Sequence, residues 1–92
     1  MTTYSVTSTY SGDISSGSSY YNINDGENVA LTFPITVNEG DKLHCKIVST
    51  SPKAPYPYVI MGSNEVTVDV DEPGVWQFTI SSVIGDIVIS DY

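Results

Sequence analysis

Arginine is absent from the sequence, and three lysines stand against eleven aspartates and glutamates, giving a net charge of -8 and a pI near 4.1. That balance excludes nucleic acid as a partner, because affinity for it rests on Lys and Arg displacing phosphate counterions. An anionic membrane surface is disfavoured for the same reason. Cysteine occurs once, at Cys45, so neither an internal disulfide nor a cysteine-rich zinc site can be built, and the residue reads as a buried thiol on a strand. No apolar run is long enough to span a bilayer, and the opening residues MTTYSVTS lack a basic then apolar export pattern. The expectation is a soluble chain with no export signal of its own. Ala and Leu occur twice each, and no segment repeats apolar residues at helical spacing, so helices are not expected.

What remains is rich in Val, Ile, Thr and Tyr, and 92 residues suit one small domain, 1–92, with a modest core. The strongest stretch is Val75–Ser90. Trp76, Phe78 and Ile80 alternate with Gln77 and Thr79, Ile87–Ile89 follow as a β-branched strand, and Val83 sits where the link between them turns inward. Leu43, Cys45 and Ile47 alternate with His44, Lys46 and Val48 in another core strand. Asn28–Pro34 reads as a core strand with Val29, Leu31 and Phe33 inward, and Glu65–Val70 as one strand with Val66, Val68 and Val70 on one face. Tyr20–Ile23 and Tyr58–Met61 are shorter strands. Tyr4–Tyr10 reads as an edge strand because its inner face is only partly apolar.

Turn residues separate these runs. They are Asn24-Asp25-Gly26-Glu27, whose Gly suits positive φ, Asn38-Glu39-Gly40-Asp41, Gly62-Ser63-Asn64, and Glu72-Pro73-Gly74, which has the Pro-Gly order of a type II turn. Ser11–Ser19 reads as a mobile, exposed Gly/Ser loop with Ile14 as its anchor. The prolines of Ser49–Pro57 predict a stiff loop without regular pairing. Seven or so short strands at this spacing describe an all-β sandwich, with Trp76 and Phe78 in its core beside Val29, Leu31, Phe33, Val66 and Val68.

Val59–Thr67, VIMGSNEVT, and Phe78–Ser90, FTISSVIGDIVIS, resemble small bacterial immunoglobulin-like repeats, in which a Val-x-Met-Gly-Gly-x-acidic-Val-Thr segment precedes Ile-x-x-Val-Thr-Gly-Asp-Ile-x-Ile. Tyr4–Thr7 and Glu39–Leu43 fit the same order, so the resemblance covers most of the chain. Ser63 stands where the family prefers Gly, Ile84 where it prefers Thr, and the loop Ser51–Pro57 is longer than usual. The resemblance implies a single immunoglobulin-like β-sandwich, with Gly62 and Gly85 at turns, Val83 and Ile87 in the core, Asp86 capping its turn, and no catalytic residues. Similar modules serve as stalk and adhesion units of bacterial surface proteins and as decorations of tailed-phage capsids and fibres.

Read for chemistry, the chain offers little. His44 and Cys45 are adjacent on a strand and therefore point to opposite faces, which excludes a thiol–imidazole dyad within one chain. No Gly-x-Ser-x-Gly elbow is present. Asp69, Asp71 and Glu72 cluster at one turn and Asp25 and Glu27 at another. Neither group has calcium-loop spacing, and both read as solvated carboxylates that guard an edge. The expectation is no catalytic residue, no metal and no cofactor.

Pro55-Tyr56-Pro57-Tyr58, together with Tyr20 and Tyr21, is the candidate contact surface: an uncharged, proline-stiffened aromatic segment on an acidic body. The same tyrosines equally suit closure of one end of the sandwich. A competing contact is the Tyr4–Tyr10 edge, pairing with a partner strand through its backbone. The function expected is a non-enzymatic structural or binding module, a phage virion accessory protein such as a capsid decoration or head-fibre component. It would be assembled in the host cytoplasm, carried in many copies, and attached to capsid or other virion proteins and to host-surface glycan. The alternative is one repeat of a secreted adhesin on the bacterial cell surface.

Overall fold

The computed structural model describes residues 2–15, 17–51 and 53–91; Ser16 of the Gly/Ser loop and Pro52 of the proline loop lie outside them. The described residues form ten short strands: β1 (Thr3–Ser8), β2 (Tyr20–Ile23), β3 (Val29–Ala30), β4 (Ile35–Asn38), β5 (Leu43–Val48), β6 (Pro57–Met61), β7 (Asn64–Val66), β8 (Asp69–Glu72), β9 (Val75–Ile80) and β10 (Ile87–Asp91). They build two five-stranded sheets, β4-β1-β10-β6-β7 and β3-β2-β5-β9-β8, packed face to face as an all-β sandwich.

The inner faces follow the alternation in the sequence. Leu43, Cys45 and Ile47 of β5 and Trp76, Phe78 and Ile80 of β9 supply the core from the second sheet; Val6, Ile35, Val37, Val59, Ile87 and Ile89 supply it from the first. Val83 is fully buried in the link between β9 and β10, as its position predicts. Here β-branched residues dominate because their stiff side chains pack well on a pleated surface.

Two expected strands are each divided between sheets. The run 28–34 pairs only at Val29–Ala30, where β3 is a two-residue edge strand, and Val29 is 47% exposed instead of core. Leu31 is buried and Phe33 half-buried as the chain crosses, through a cis Phe33–Pro34 bond, to β4 in the other sheet. Likewise Val66 ends β7 in the first sheet, and Val70 belongs to β8 in the second, with Thr67 and Val68 spanning the gap. Val70 is 52% exposed, because the sheet ends beside it.

Strand β4 also corrects the position of β1. Tyr4, Ser5 and Val6 pair antiparallel with Val37, Thr36 and Ile35, while Val6, Thr7 and Ser8 pair parallel with Ile87, Val88 and Ile89. The first strand is therefore interior, and neither side of it is open to a partner strand.

The turns carry the local signals with one change of residue. Gly74, at φ +85 after Pro73, makes the expected type II turn, and Gly62, at φ +63, opens the two-residue β6–β7 hairpin in the manner of a type II′ turn. In the β2–β3 hairpin the positive φ values fall instead on Asn24 and Asp25, a type I′ pair, with Gly26 donating to the Ile23 carbonyl at 3.0 Å. Asn24 tolerates that conformation and gains from it. Its Oδ1 accepts from the Lys42 amide at 2.9 Å and its Nδ2 donates to Asp41 at 3.1 Å, tying two turns together.

Two residues of the Gly/Ser stretch, Ile14 and Ser19, are tied to the sandwich. Ile14 bridges to Ser49 and packs on the core, and the buried Ser19 hydroxyl accepts from the Val48 amide at 2.9 Å and donates to the Val48 carbonyl at 3.2 Å. Both of its hydrogen-bonding capacities are used, which is what a buried hydroxyl requires.

Candidate functional site

The last turn of the proline loop delivers Pro55 and Tyr56 to one end of the sandwich, above Trp76. Trp76 is 4% exposed and is approached edge-on by two tyrosines, Tyr10 with ring centroids 6.3 Å apart and Tyr56 at 6.2 Å. Each tyrosine is also tethered by its hydroxyl. Tyr10 donates to the Pro55 carbonyl, and Tyr56 donates to the Val68 carbonyl at 2.9 Å. Burial raises the Tyr10 phenol pKa, with the negative charge of Asp91 adding to the shift. Tyr56 thus closes the end of the core while staying 41% exposed, so a covering role and an outward face coexist in one side chain.

Beside it lies a groove of about 400 Å³ lined by Tyr56, Pro57, Tyr58, Val59 and by Glu65–Val68. Its origin is topological. Strand β7 pairs with β6 only from Val59 to Met61 and then leaves for the other sheet, opening a wedge alongside Tyr56–Tyr58. The buried Val59 and Pro57 and the half-buried Val66 turn toward the core, while Tyr58, Glu65 and Thr67 occupy the alternate positions that face outward.

Of the six residues proposed from sequence, this region brings together Pro55, Tyr56, Pro57 and Tyr58. Pro57 is a buried strand residue paired with Asp91 and lies at the floor of the wedge. Tyr20 and Tyr21 lie elsewhere. On β2, Tyr21 is opposite Cys45 and packs inward, whereas Tyr20 is opposite Lys46 on the outer face of the second sheet, 6.2 Å from the His44 ring. Tyr58 faces out from the first sheet, so Tyr20 cannot share a contact with it. Sequence reasoning took Tyr10 as the end of the Tyr4–Tyr10 strand and Glu65–Val68 as part of one strand, and missed the ring of Tyr10 over Trp76 and the wall beside Tyr56–Tyr58.

His44 and Cys45 do point apart. The imidazole Nδ1 is 2.8 Å from the Thr79 hydroxyl on the outer face, and the inward thiol is pushed by burial to about 12, which keeps it protonated and poorly nucleophilic. Among the described residues no group of three His, Cys, Asp or Glu side chains is placed to hold a metal ion.

The carboxylates divide into two sets. Asp13, Asp25, Glu39, Asp41, Asp71, Asp86 and Asp91 each accept a hydrogen bond from a neighbour, with Asp25 also paired to Lys42 at 3.0 Å. Glu27, Glu65, Asp69 and Glu72 have no such partner among the described residues, and the last three stand on β7 and β8, at the groove and the edge beside it. Comparison of the chain with family models, with curated proteins and with solved structures finds no match.

Proposed function

We propose that the chain is a non-enzymatic binding and structural module that attaches to a larger assembly through the Tyr56–Tyr58 end, as a phage virion accessory protein carried in many copies. The observation that carries this reading is the wedge itself. It is a concave, mostly apolar site with two aromatic walls, one of them already fixed by a hydrogen bond and a packed ring, so little freedom is lost when a partner seats there. The separated His44 and Cys45 side chains are consistent with a role in binding and not in acyl transfer.

The virion setting rests on the resemblance of VIMGSNEVT and FTISSVIGDIVIS to repeats that decorate capsids. A second reading, a surface adhesin repeat that holds glycan, is favoured by one feature of the same wedge: an outward Tyr58 next to the polar Thr67 and Glu65 suits a sugar ring stacked on an aromatic face.

Purified virions grown with the wild-type chain or with Tyr56→Ser/Tyr58→Ser test the proposal. The wild-type chain should co-purify in many copies per particle, and the double variant should detach with a loss of a few kcal/mol in attachment, as is usual for buried aromatic anchors. A wild-type chain absent from washed particles, or a double variant that attaches as well, would refute it.

A further inference from the structure

We infer that the wedge is a seat for an arginine side chain presented by an extended segment of a partner protein. The inference rests on the binding-module reading and names the chemistry of its partner. Three observations converge. The wedge offers two tyrosine walls and the half-buried, aliphatic Val66 and Val68, with a single carboxylate, Glu65, among its lining residues. That carboxylate has no hydrogen-bond or ion-pair partner among the described residues, in contrast to the seven acids that are engaged elsewhere. Among the described residues no cation of this chain pairs with it: the sequence has no arginine, Lys42 is paired with Asp25, Lys46 lies on the outer face of the second sheet, and Lys53, in the proline loop, is not among the residues that line the wedge.

An arginine matches such a site better than other side chains. Its aliphatic stem covers the valines, its planar guanidinium stacks on a tyrosine face, and its fork pairs with a carboxylate through two hydrogen bonds. Lysine has the charge without the plane. Asp69 and Glu72, on the adjoining β8 and equally unpaired, extend the negative field past the wedge and draw a basic segment towards it. A second copy of the chain is ruled out as the occupant, because it brings no arginine and the same net charge of -8.

The test uses the peptide Ac-Gly-Arg-Gly-NH2, its citrulline counterpart, which has the same shape without the charge, and a chitin trisaccharide. They are titrated into the labelled protein at low salt and followed by amide NMR shifts and by the fluorescence of Trp76, which Tyr56 touches. The arginine peptide should give saturable shifts centred on Tyr58, Glu65 and Val66. Citrulline and Glu65→Gln should each weaken binding at least about tenfold, roughly the loss of one charged pairing. Glu65 is exposed, so the variant should keep the wild-type spectrum and urea midpoint, separating lost binding from lost folding. Equal binding of citrulline, no effect of Glu65→Gln, or the trisaccharide moving these signals while arginine does not would overturn the inference. Virions separate this inference from the reading beneath it. Loss of attachment in Tyr56→Ser/Tyr58→Ser with normal attachment of Glu65→Gln leaves the module reading standing and removes the arginine seat; arginine binding by a chain that never joins the particle does the reverse.

Discussion

Trp76→Ala is the substitution whose cost the geometry constrains most closely. It removes a side chain 4% exposed, in register with the fully buried Ile47, and with it both edge contacts to Tyr10 and Tyr56. Loss of a buried Trp costs about 3–5 kcal/mol, the spread reflecting how far the surroundings collapse into the space. The two tyrosines next to the cavity are the groups closest to filling it. Their hydroxyls, however, are bonded to the Pro55 and Val68 carbonyls, and moving either ring inward gives up a hydrogen bond of about 1 kcal/mol. The tethers therefore hold the rings off the cavity, and the expected loss is in the upper half of the range, about 4–5 kcal/mol. Against roughly 5–14 kcal/mol for a domain of this length, that leaves the variant near its threshold. Urea denaturation followed by far-UV circular dichroism measures it. A double-mutant cycle then tests the tethers: Tyr10→Phe/Tyr56→Phe should destabilise the wild type by about 2 kcal/mol and the Trp76→Ala variant by much less, since freed rings can collapse. A loss under about 1 kcal/mol for Trp76→Ala, or full additivity in the cycle, would refute the reasoning.

Cys45 should resist thiol reagents in the native state and react at once in denaturant, because burial holds it protonated to about 12; rapid native labelling would contradict its place in the core. Asp91 is held below the ordinary carboxylate range by hydrogen bonds from the Ser11 hydroxyl and amide, so its stabilising effect is present above about 3.9 and fades as pH falls through its lowered value. Asp91→Asn should accordingly lower the melting temperature at neutral pH, with the gap to wild type closing in strong acid. Asn24→Ala loses two turn-to-turn hydrogen bonds and places Ala at φ +55, and should cost about 2 kcal/mol in urea denaturation. Millimolar calcium should leave the melting temperature nearly unchanged, since a ligand for the folded state would raise it by mass action.

Strand β9 and strand β5 are legible because each is a single alternating run covered on one face only, and β2 because turn residues bound it on both sides. The unread part has one cause in two places. Val29, Leu31, Phe33, Ile35 and Val37 form an unbroken alternation, as do Val66, Val68 and Val70, yet in each run the chain passes from one sheet to the other. The inner faces of a sandwich look at each other, so a chain crossing its side keeps the same residues inward and the period carries no mark of the step. Missing the first crossing hides β4 and makes β1 look like an edge. Missing the second hides the wedge, because that wedge exists only where β7 parts from β6. The aromatic end is half legible: Tyr56 and Tyr58 stand out in sequence, but the ring of Tyr10 over Trp76 is a contact across 66 positions that no local pattern encodes.

The parallel pairing of β1 with β10 has a mechanical consequence. Because the two strands run the same way, the beginning of β1 at Thr3 and the end of β10 at Asp91 sit at opposite ends of the sandwich. Tension applied between those points pulls the neighbouring strands along their length in opposite directions, so the ladder from Val6–Ile87 to Ser8–Ile89 is loaded in shear, all of its bonds at once. An antiparallel hairpin pulled from its open end would instead peel one bond at a time. Strand β4 on one side and β6 on the other brace the pair, which makes the domain stiff along the axis that joins those two strand ends.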